Sequence, residues 1–239
     1  MKTKPLHPLV SCICITNNRP QLLLKAILSF DQQNYPNREL VVSYPKNDSE
    51  SKELIKKILL IPEFNIIEIE REEGESIGTA RNNAVRKCNG VYVCMWDDDD
   101  VYSHTRVADQ HNLLQGNGRY FQASLISQIL LFDAIKSKAY ISHQYNWNGS
   151  LLCKREHLLS YPCKDSNLFE CDPVIEYLES KKLLLKQGFD PQIYTYIYHG
   201  SNVTDYFHFQ YLAKQGRPLA DEFSYEVKSY LAQEIKINI

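Results

Sequence analysis

The chain has 239 residues, 44% of them hydrophobic, and a formal charge of −2, enough for one large domain with a substantial core. That near-neutral balance offers no overall basic field for nucleic acid or an anionic membrane. No segment supplies the ~18 uncharged apolar residues of a membrane span, and the opening MKTKPLHP lacks the apolar core of a signal peptide.

In chain order the pattern alternates. Leu9 to Thr16 reads as a strand, and Pro20 follows Asn18 as a first-turn proline follows a helix cap. The helix runs to about Asn34, where Tyr35-Pro36-Asn37 makes a turn. Glu39 to Ser43 is a second strand, Asp48 to about Leu60 a helix, and Asn65 to Glu70 a third strand. Ser76 to Cys88 is helical and Asn89-Gly90 closes it. Strand and helix alternating over the first hundred residues predict an α/β fold, with a mostly parallel sheet flanked by helices. Beyond Tyr102 a helix over 103–115 is followed by mixed short strands and a helix after Asp172. A strand over 194–198 and helices over 204–215 and 221–235 complete the chain. No internal repeat or linker divides it, so 1–239 is expected to be a single domain. The seven cysteines, Cys12, Cys14, Cys88, Cys94, Cys153, Cys163 and Cys171, contain no Cys-x-x-Cys pair. Cys12, Cys14 and Cys94 lie in apolar strand patterns and read as small buried hydrophobes, and the odd count without such a pair suits a reducing, cytoplasmic compartment.

The most informative stretch is Val91-Tyr92-Val93-Cys94-Met95-Trp96 running into Asp97-Asp98-Asp99-Asp100. The apolar run reads as a buried strand. Four carboxylates at its end repel one another and need a compensating cation. Hard oxygen ligands so grouped suit Mg²⁺ or Mn²⁺, which often also hold a substrate phosphate. In open α/β sheets ligands bind at this end of the strands. A solvated acidic loop is the bland alternative.

Four segments together resemble the family 2 glycosyltransferases of GT-A (Rossmann-like) fold. They are the opening strand with Thr16-Asn17-Asn18-Arg19-Pro20, the Tyr35-Pro36-Asn37-Arg38-Glu39 approach to the second strand, Gly78-Thr79-Ala80-Arg81-Asn82, and the Asp97–Asp100 cluster. Arg106 also falls where the family places a basic residue after its acidic motif. The resemblance implies a nucleotide-sugar-binding half over about 1–102 and a mixed, acceptor-binding half over about 103–239. It implies a donor that is a UDP-, GDP- or dTDP-sugar, a saccharide or lipid-linked acceptor, and Mn²⁺ or Mg²⁺. It further implies bacterial surface polysaccharide synthesis, inside the cell and possible at the inner face of the membrane, with no nucleic-acid partner.

By that resemblance Asp99 ligates the metal, Asp97 contacts the metal or ribose, and Asp98 and Asp100 support them. His199, delivered by the 194–198 strand, completes the metal or diphosphate site, with His208 a weaker candidate. Thr16, Asn18 and Arg19 line the donor. Arg81 approaches the nucleotide or diphosphate, or else makes a surface ion pair with Glu75, Glu73 or another carboxylate. The family's base-reading Asp after the second strand is missing, and the Ser43 hydroxyl and stacking by Tyr44 are its expected substitutes. An inverting transfer needs a carboxylate to take the acceptor proton. Asp172 is the expected base and Glu170 its competitor, although Asp172-Pro173 also reads as a helix cap. Trp147 is a candidate for stacking on a sugar. Two other functions stay open: a haloacid-dehalogenase-like phosphatase using Asp97 and Asp99, and a non-catalytic module of the same fold.

Overall fold

The structure, a computed structural model, describes residues 7–118, 120–188, 190 and 193–234. Its first hundred residues run β1 (Val10–Ile15), α1 (Pro20–Asp31), β2 (Arg38–Pro45), α2 (Ser49–Ile58), β3 (Ile66–Arg71), α3 (Ile77–Lys87) and β4 (Tyr92–Met95). Then follow β5 (Val101–Tyr102), α4 (Arg106–Gly116), β6 (Ala123–Ile126), β7 (Leu130–Asp133) and β8 (Lys138–Ile141). A 3₁₀ turn (Asn148–Ser150), β9 (Leu152–Lys154), α5 (Arg155–Ser160) and α6 (Asp172–Ser180) lead to β10 (Leu184–Gln187) and β11 (Tyr194–Tyr198). The chain closes with α7 (Tyr206–Gln215), β12 (Arg217–Pro218) and α8 (Asp221–Glu234). The last helix was expected to reach Ile235, which lies outside the described residues.

The main sheet has seven strands in the order β10-β6-β9-β4-β1-β2-β3. β9 alone runs antiparallel to its neighbours β4 and β6; the other pairings are parallel. Residues from the second half thus complete the sheet that the first half begins. Alternate residues of β1, β2 and β4 enter opposite cores. Cys12, Cys14, Leu40, Val42, Cys94 and Trp96 pack with Leu23, Ile27 and Phe30 of α1. Ile13, Val41, Val93 and Met95 pack with Ala80, Ala84 and Val85 of α3. A sheet covered on both faces reads in sequence as unbroken apolar runs, as these strands do. All seven cysteines are free and buried. A second sheet, β12-β8-β7-β11-β5, stands beside the acidic cluster, and β11 pairs there with β5 directly after it.

Local chemistry sets the element ends. Arg38 donates to the carbonyls of Phe30 (3.1 Å) and Tyr35 (2.8 Å), satisfying the exit from α1. Asp48 caps α2 through Ser51 N at 3.0 Å, and Ser76 caps α3 through Thr79 N at 3.1 Å. Two expected caps differ. Arg19, not Asn18, is the cap residue of α1, and it makes no side-chain cap bond. Asn18 instead turns the chain at φ +53° and donates its N–H to Asp48 at 2.7 Å. Asp172 is the first residue of α6, whose cap position is Cys171.

Candidate active site

The G-T-A-R-N segment has a legible local logic. A Cβ on Gly78 would meet the Lys164 carbonyl oxygen at 1.8 Å, so only glycine lets the segment 163–170 cross the start of α3. Gly78 N donates to Ser166 O at 3.0 Å and Ile77 N to Asn167 Oδ1 at 2.9 Å. Asn82 bonds the Cys163 backbone both ways, at 2.8 and 2.9 Å. This strap ends at Glu170, which it delivers beside Arg81.

Arg81 is buried and joins two elements. It donates to Asp97 Oδ1 at 2.6 Å and to Glu170 Oε1. It is therefore not the surface partner of Glu73 or Glu75; Asn83 donates to Glu75 instead. Burial lowers the proton affinity of a guanidinium, but Asp97 and Glu170 outweigh it and raise that of Arg81.

Arg19 mirrors this on the other side of the cluster. It donates to Asp98 Oδ1 at 2.7 Å and to Asp99 Oδ2 at 2.9 Å. Thr16 Oγ1 adds a bond to Asp98 Oδ2 at 2.6 Å. Tyr194 donates to Asp100 at 2.5 Å, and Tyr102 donates nothing here but accepts from Asp97 N at 2.8 Å. The compensating charge for the acidic cluster is thus supplied by two arginines at sequence separations of 79–80 and 16 residues. Burial raises the Asp97 carboxyl against the pull of Arg81, and raises Asp100 still further, with Asp99 adding to it. Asp99 goes the other way. Burial would raise it, but His199 and Arg19 hold it below the usual range.

Asp99 Oδ2 lies 3.3 Å from His199 Nε2, and Asn202 Nδ2 approaches the same oxygen at 3.5 Å. Ser201 Oγ, 2.9 Å from His199 Nδ1, orients the imidazole. No group of three His, Cys, Asp or Glu side chains converges as a metal cage among the described residues. Mg²⁺ and Mn²⁺ seldom need such a cage, since one or two carboxylates with waters and substrate phosphates suffice. The carboxylates of Asp97 and Asp99 line one cleft, and the His199 imidazole, bonded to Asp99 Oδ2, lines an adjoining pocket that shares Asp98, Asp99 and Asp100; carboxylate oxygens with one imidazole nitrogen are the chemistry of that donor set.

The cleft is lined by Arg19, Arg81, Asp97–Asp100, Trp147–Gly149, Glu170, Asn202 and His208, among others. Asp172 faces an adjoining cleft with Glu176 and Glu179, and the two share Tyr145 and Asn146. Asn148 Nδ2 holds Asp172 Oδ1 at 3.0 Å, and Lys164 Nζ stands 3.8 Å from its other oxygen. Asp172 is 32% exposed, whereas Glu170 is 9% exposed and locked to Arg81.

Two expected donor contacts are corrected. Tyr44 is wholly buried and its hydroxyl donates to Glu68, so its ring offers no face to a base. Ser43 is likewise buried, and its Oγ meets no partner. Both lie on β2, where each face of the sheet is covered. Trp147 lines the cleft but is 7% exposed, with Tyr145 and Tyr196 rings 5.3 and 6.5 Å away, leaving little open face for a sugar.

Sequence reasoning overlooked Arg71, Tyr102, Tyr194 and Asn202. Arg71 donates to the carbonyls of Ser43 and Thr16, both at 2.7 Å, and so ties the ends of β1 and β2 beneath the donor turn. Its signal was a cation at the inner end of a strand in a doubly covered sheet.

The fold is that of the GT-A glycosyltransferases. A family model described as glycosyl transferase family 2 matches residues 11–163, and the chain belongs to that family. An uncharacterized glycosyltransferase of Rickettsia bellii (strain RML369-C) is 25% identical over 120 residues, 50% of this chain. The chain spans only 17% of that relative's length. Among solved structures, the mannosyltransferase PcManGT of Pyrobaculum calidifontis, in complex with GDP-Man and Mn²⁺, superposes with TM-score 0.61 at 15% identity, over 83% of this chain and 59% of its own. S. aureus TarS 1-349 in complex with UDP-GlcNAc gives 0.64 at 15% identity, over 94% and 66%. Likeness at this identity carries the fold. The family match removes the phosphatase alternative, whose nucleophile belongs on a first strand; here three strands precede β4, the strand that delivers Asp97.

Proposed function

We propose that the chain transfers a sugar from a nucleoside-diphosphate sugar to a hydroxyl of a saccharide or lipid-linked acceptor, with inversion at the anomeric carbon. The observation that carries this reading is one cleft, at the carboxyl end of β4, lined jointly by Asp97, Asp99, Arg19 and Arg81. The GDP-Man, UDP-GlcNAc and Mn²⁺ in the complexes of similar fold support it. The base is uracil, guanine or thymine, and it lies over the turn Thr16-Asn17-Asn18-Arg19, where Asn18 is exposed. Residues up to about 102 serve the donor and those after it the acceptor.

Asp99 and His199 would hold Mn²⁺ or Mg²⁺, with Asp97 across the cleft. A bound divalent ion supplies neutralisation of the departing diphosphate. Arg19 stands beside Asp99 as a second cation for the phosphates, and its planar fork suits them. Asp172 is our assignment for the base. It is partly exposed, one oxygen is fixed by Asn148, and the other is free of short contacts. Glu170 is not free to reach an acceptor hydroxyl, because Arg81 holds its carboxylate in a buried pair. The acceptor then enters over Tyr145 and Asn146, where the two clefts meet. The setting we propose is polysaccharide assembly in the cytoplasm or at the inner face of the membrane, as the family resemblance implies. No described helix is long and apolar enough to cross a membrane.

A thermal-shift panel of UDP, GDP and dTDP, each with and without Mn²⁺, tests the reading. One nucleotide should raise the melting temperature, and more so with the ion, because ligands that bind the native state stabilise it by mass action. A flat panel returns the chain to the non-catalytic alternative.

A further inference from the structure

Arg106 opens α4 with its side chain turned into the protein, and it is 0% exposed. A buried guanidinium is costly unless compensated, and carboxylates are its usual partners. Among the described residues Arg106 has none within ion-pairing distance. Its charge lies instead against the rings of Tyr102 (4.0 Å), Trp96 (5.3 Å) and Tyr194 (5.5 Å). Nη2 donates to the Gly149 carbonyl at 2.8 Å, Nε to Gln110 at 3.3 Å, and buried Nη1 has no partner. Gln110 in turn donates to Ser150 O at 2.8 Å. One cation and its neighbour therefore hold two successive carbonyls of the 3₁₀ turn from below.

The upper side of that turn is equally constrained. A Cβ on Gly149 would sit 2.6 Å from Asp97 Oδ2 and 2.6 Å from the Tyr194 hydroxyl. The adjacent Asn148 carries the amide that fixes Asp172. The turn is thus wedged between Arg106 and Asp97, and it is the bridge from Asp97 to Asp172.

We propose that Arg106 is a positioning residue: by pinning the Asn148–Gly149 turn against Asp97, it fixes the separation between the donor-side carboxylate and Asp172. This rests on the donor and base assignments proposed above. Arg106 touches neither reacting partner, so its loss misplaces the acceptor side and leaves the nucleotide side, held by Arg19 and Asp98, in place. Misplacement by about an ångström costs up to ~10²-fold in rate.

Two variants test this. Arg106→Lys keeps the charge but loses the planar fork, and Gly149→Ala pushes on the turn from the Asp97 side. For each, nucleotide-diphosphate affinity with Mn²⁺, donor turnover to free nucleotide, and amide exchange across residues 147–151 are measured on the full chain. Arg106→Lys should bind nucleotide within about twofold of wild type, and both variants should turn over at least tenfold more slowly, on the scale of such misplacement; Gly149→Ala, which presses on Asp97 itself, should lose affinity as well. Arg106→Lys should exchange the 147–151 amides faster. A lower melting temperature with unchanged turnover makes Arg106 a packing residue and overturns the proposal, as does equal loss of affinity and turnover in Arg106→Lys. Unchanged exchange in Arg106→Lys overturns it whatever the wild type binds. A wild type that binds no nucleotide with Mn²⁺ overturns the donor reading instead, and the exchange result alone then decides the role of Arg106.

Discussion

Arg81 Nη2 lies 2.6 Å from Asp97 Oδ1, and the same guanidinium reaches Glu170. A residue read from the sequence as facing a ligand is thus an internal tie between α3, the end of β4 and the strap before α6. The distinction has a measurable consequence. Removing one partner of a buried ion pair strands the others, at a cost of about 3–5 kcal/mol. Arg81→Ala should accordingly lower unfolding stability by about that amount in urea titrations. A loss of nucleotide affinity with unchanged stability would show that Arg81 swings out to the ligand.

Asp99→Asn should behave in the opposite way. Relieving a crowded carboxylate seldom destabilises a protein, and Asp98 remains to pair with Arg19. The fold should persist while the metal-dependent part of nucleotide stabilisation disappears. For a ligand at a hundred times its Kd the whole stabilisation is about 2.7 kcal/mol, which bounds that part. Wild-type stabilisation by nucleotide and Mn²⁺ in Asp99→Asn would remove Asp99 from the metal site.

Asp172 and Glu170 separate cleanly by substitution. Asp172 does not cap α6, so Asp172→Asn sacrifices no cap, and its amide oxygen can still accept from Asn148. Turnover should fall roughly 10²–10⁴-fold, the contribution of a positioned base, with melting temperature and donor binding unchanged. Glu170→Gln should instead lower stability, because Arg81 loses a charged partner. Full turnover in Asp172→Asn would move the base elsewhere.

The acidic cluster also predicts a pH dependence of the metal-free protein. Burial and the neighbouring Asp99 push Asp98 up to about 7, while Arg19 and Thr16 pull it down. Its folded pKa lies above the unfolded value of about 3.9. Between those limits the folded protein holds a proton that the unfolded chain has lost, so this group's contribution to stability declines as pH rises through that interval. In EDTA, Asp98→Asn should therefore gain on wild type in melting temperature between pH 5 and pH 8. A constant difference across that range would mean that Asp98 is already ionised at pH 5.

The sheet was legible because the apolar runs of β1, β2 and β4 and the caps at Asp48 and Ser76 are local signals. The acidic cluster was legible for the same reason. Its counter-charges were not. Arg19 meets Asp98 across 79 residues and Arg81 meets Glu170 across 89, and no periodicity encodes such pairings. Tyr44 misled for a related reason. An aromatic near the end of a strand looks available to a ligand, but a strand covered on both faces has no open side. Arg106 matched the resemblance by position, whereas its placement among three aromatic rings depends on β5 and β11 coming together.

The strap that Gly78 admits also bears on the order in which the protein is made. Residues 10–95 contain all of β1 to β4, so those four strands can pair before the second half leaves the ribosome. Yet one edge of β4 stays open until residues 152–154 arrive, and Arg81 lacks its second carboxylate until residue 170. These contacts form later because their residues are made later, and each must still close a loop of dozens of residues. A nascent chain stopped short of the strap would hold a nearly finished sheet above an unbalanced cluster of charge. The site is consequently the last part of the main sheet's surroundings to become itself, and a truncation near residue 160 should yield a folded core without a working cleft.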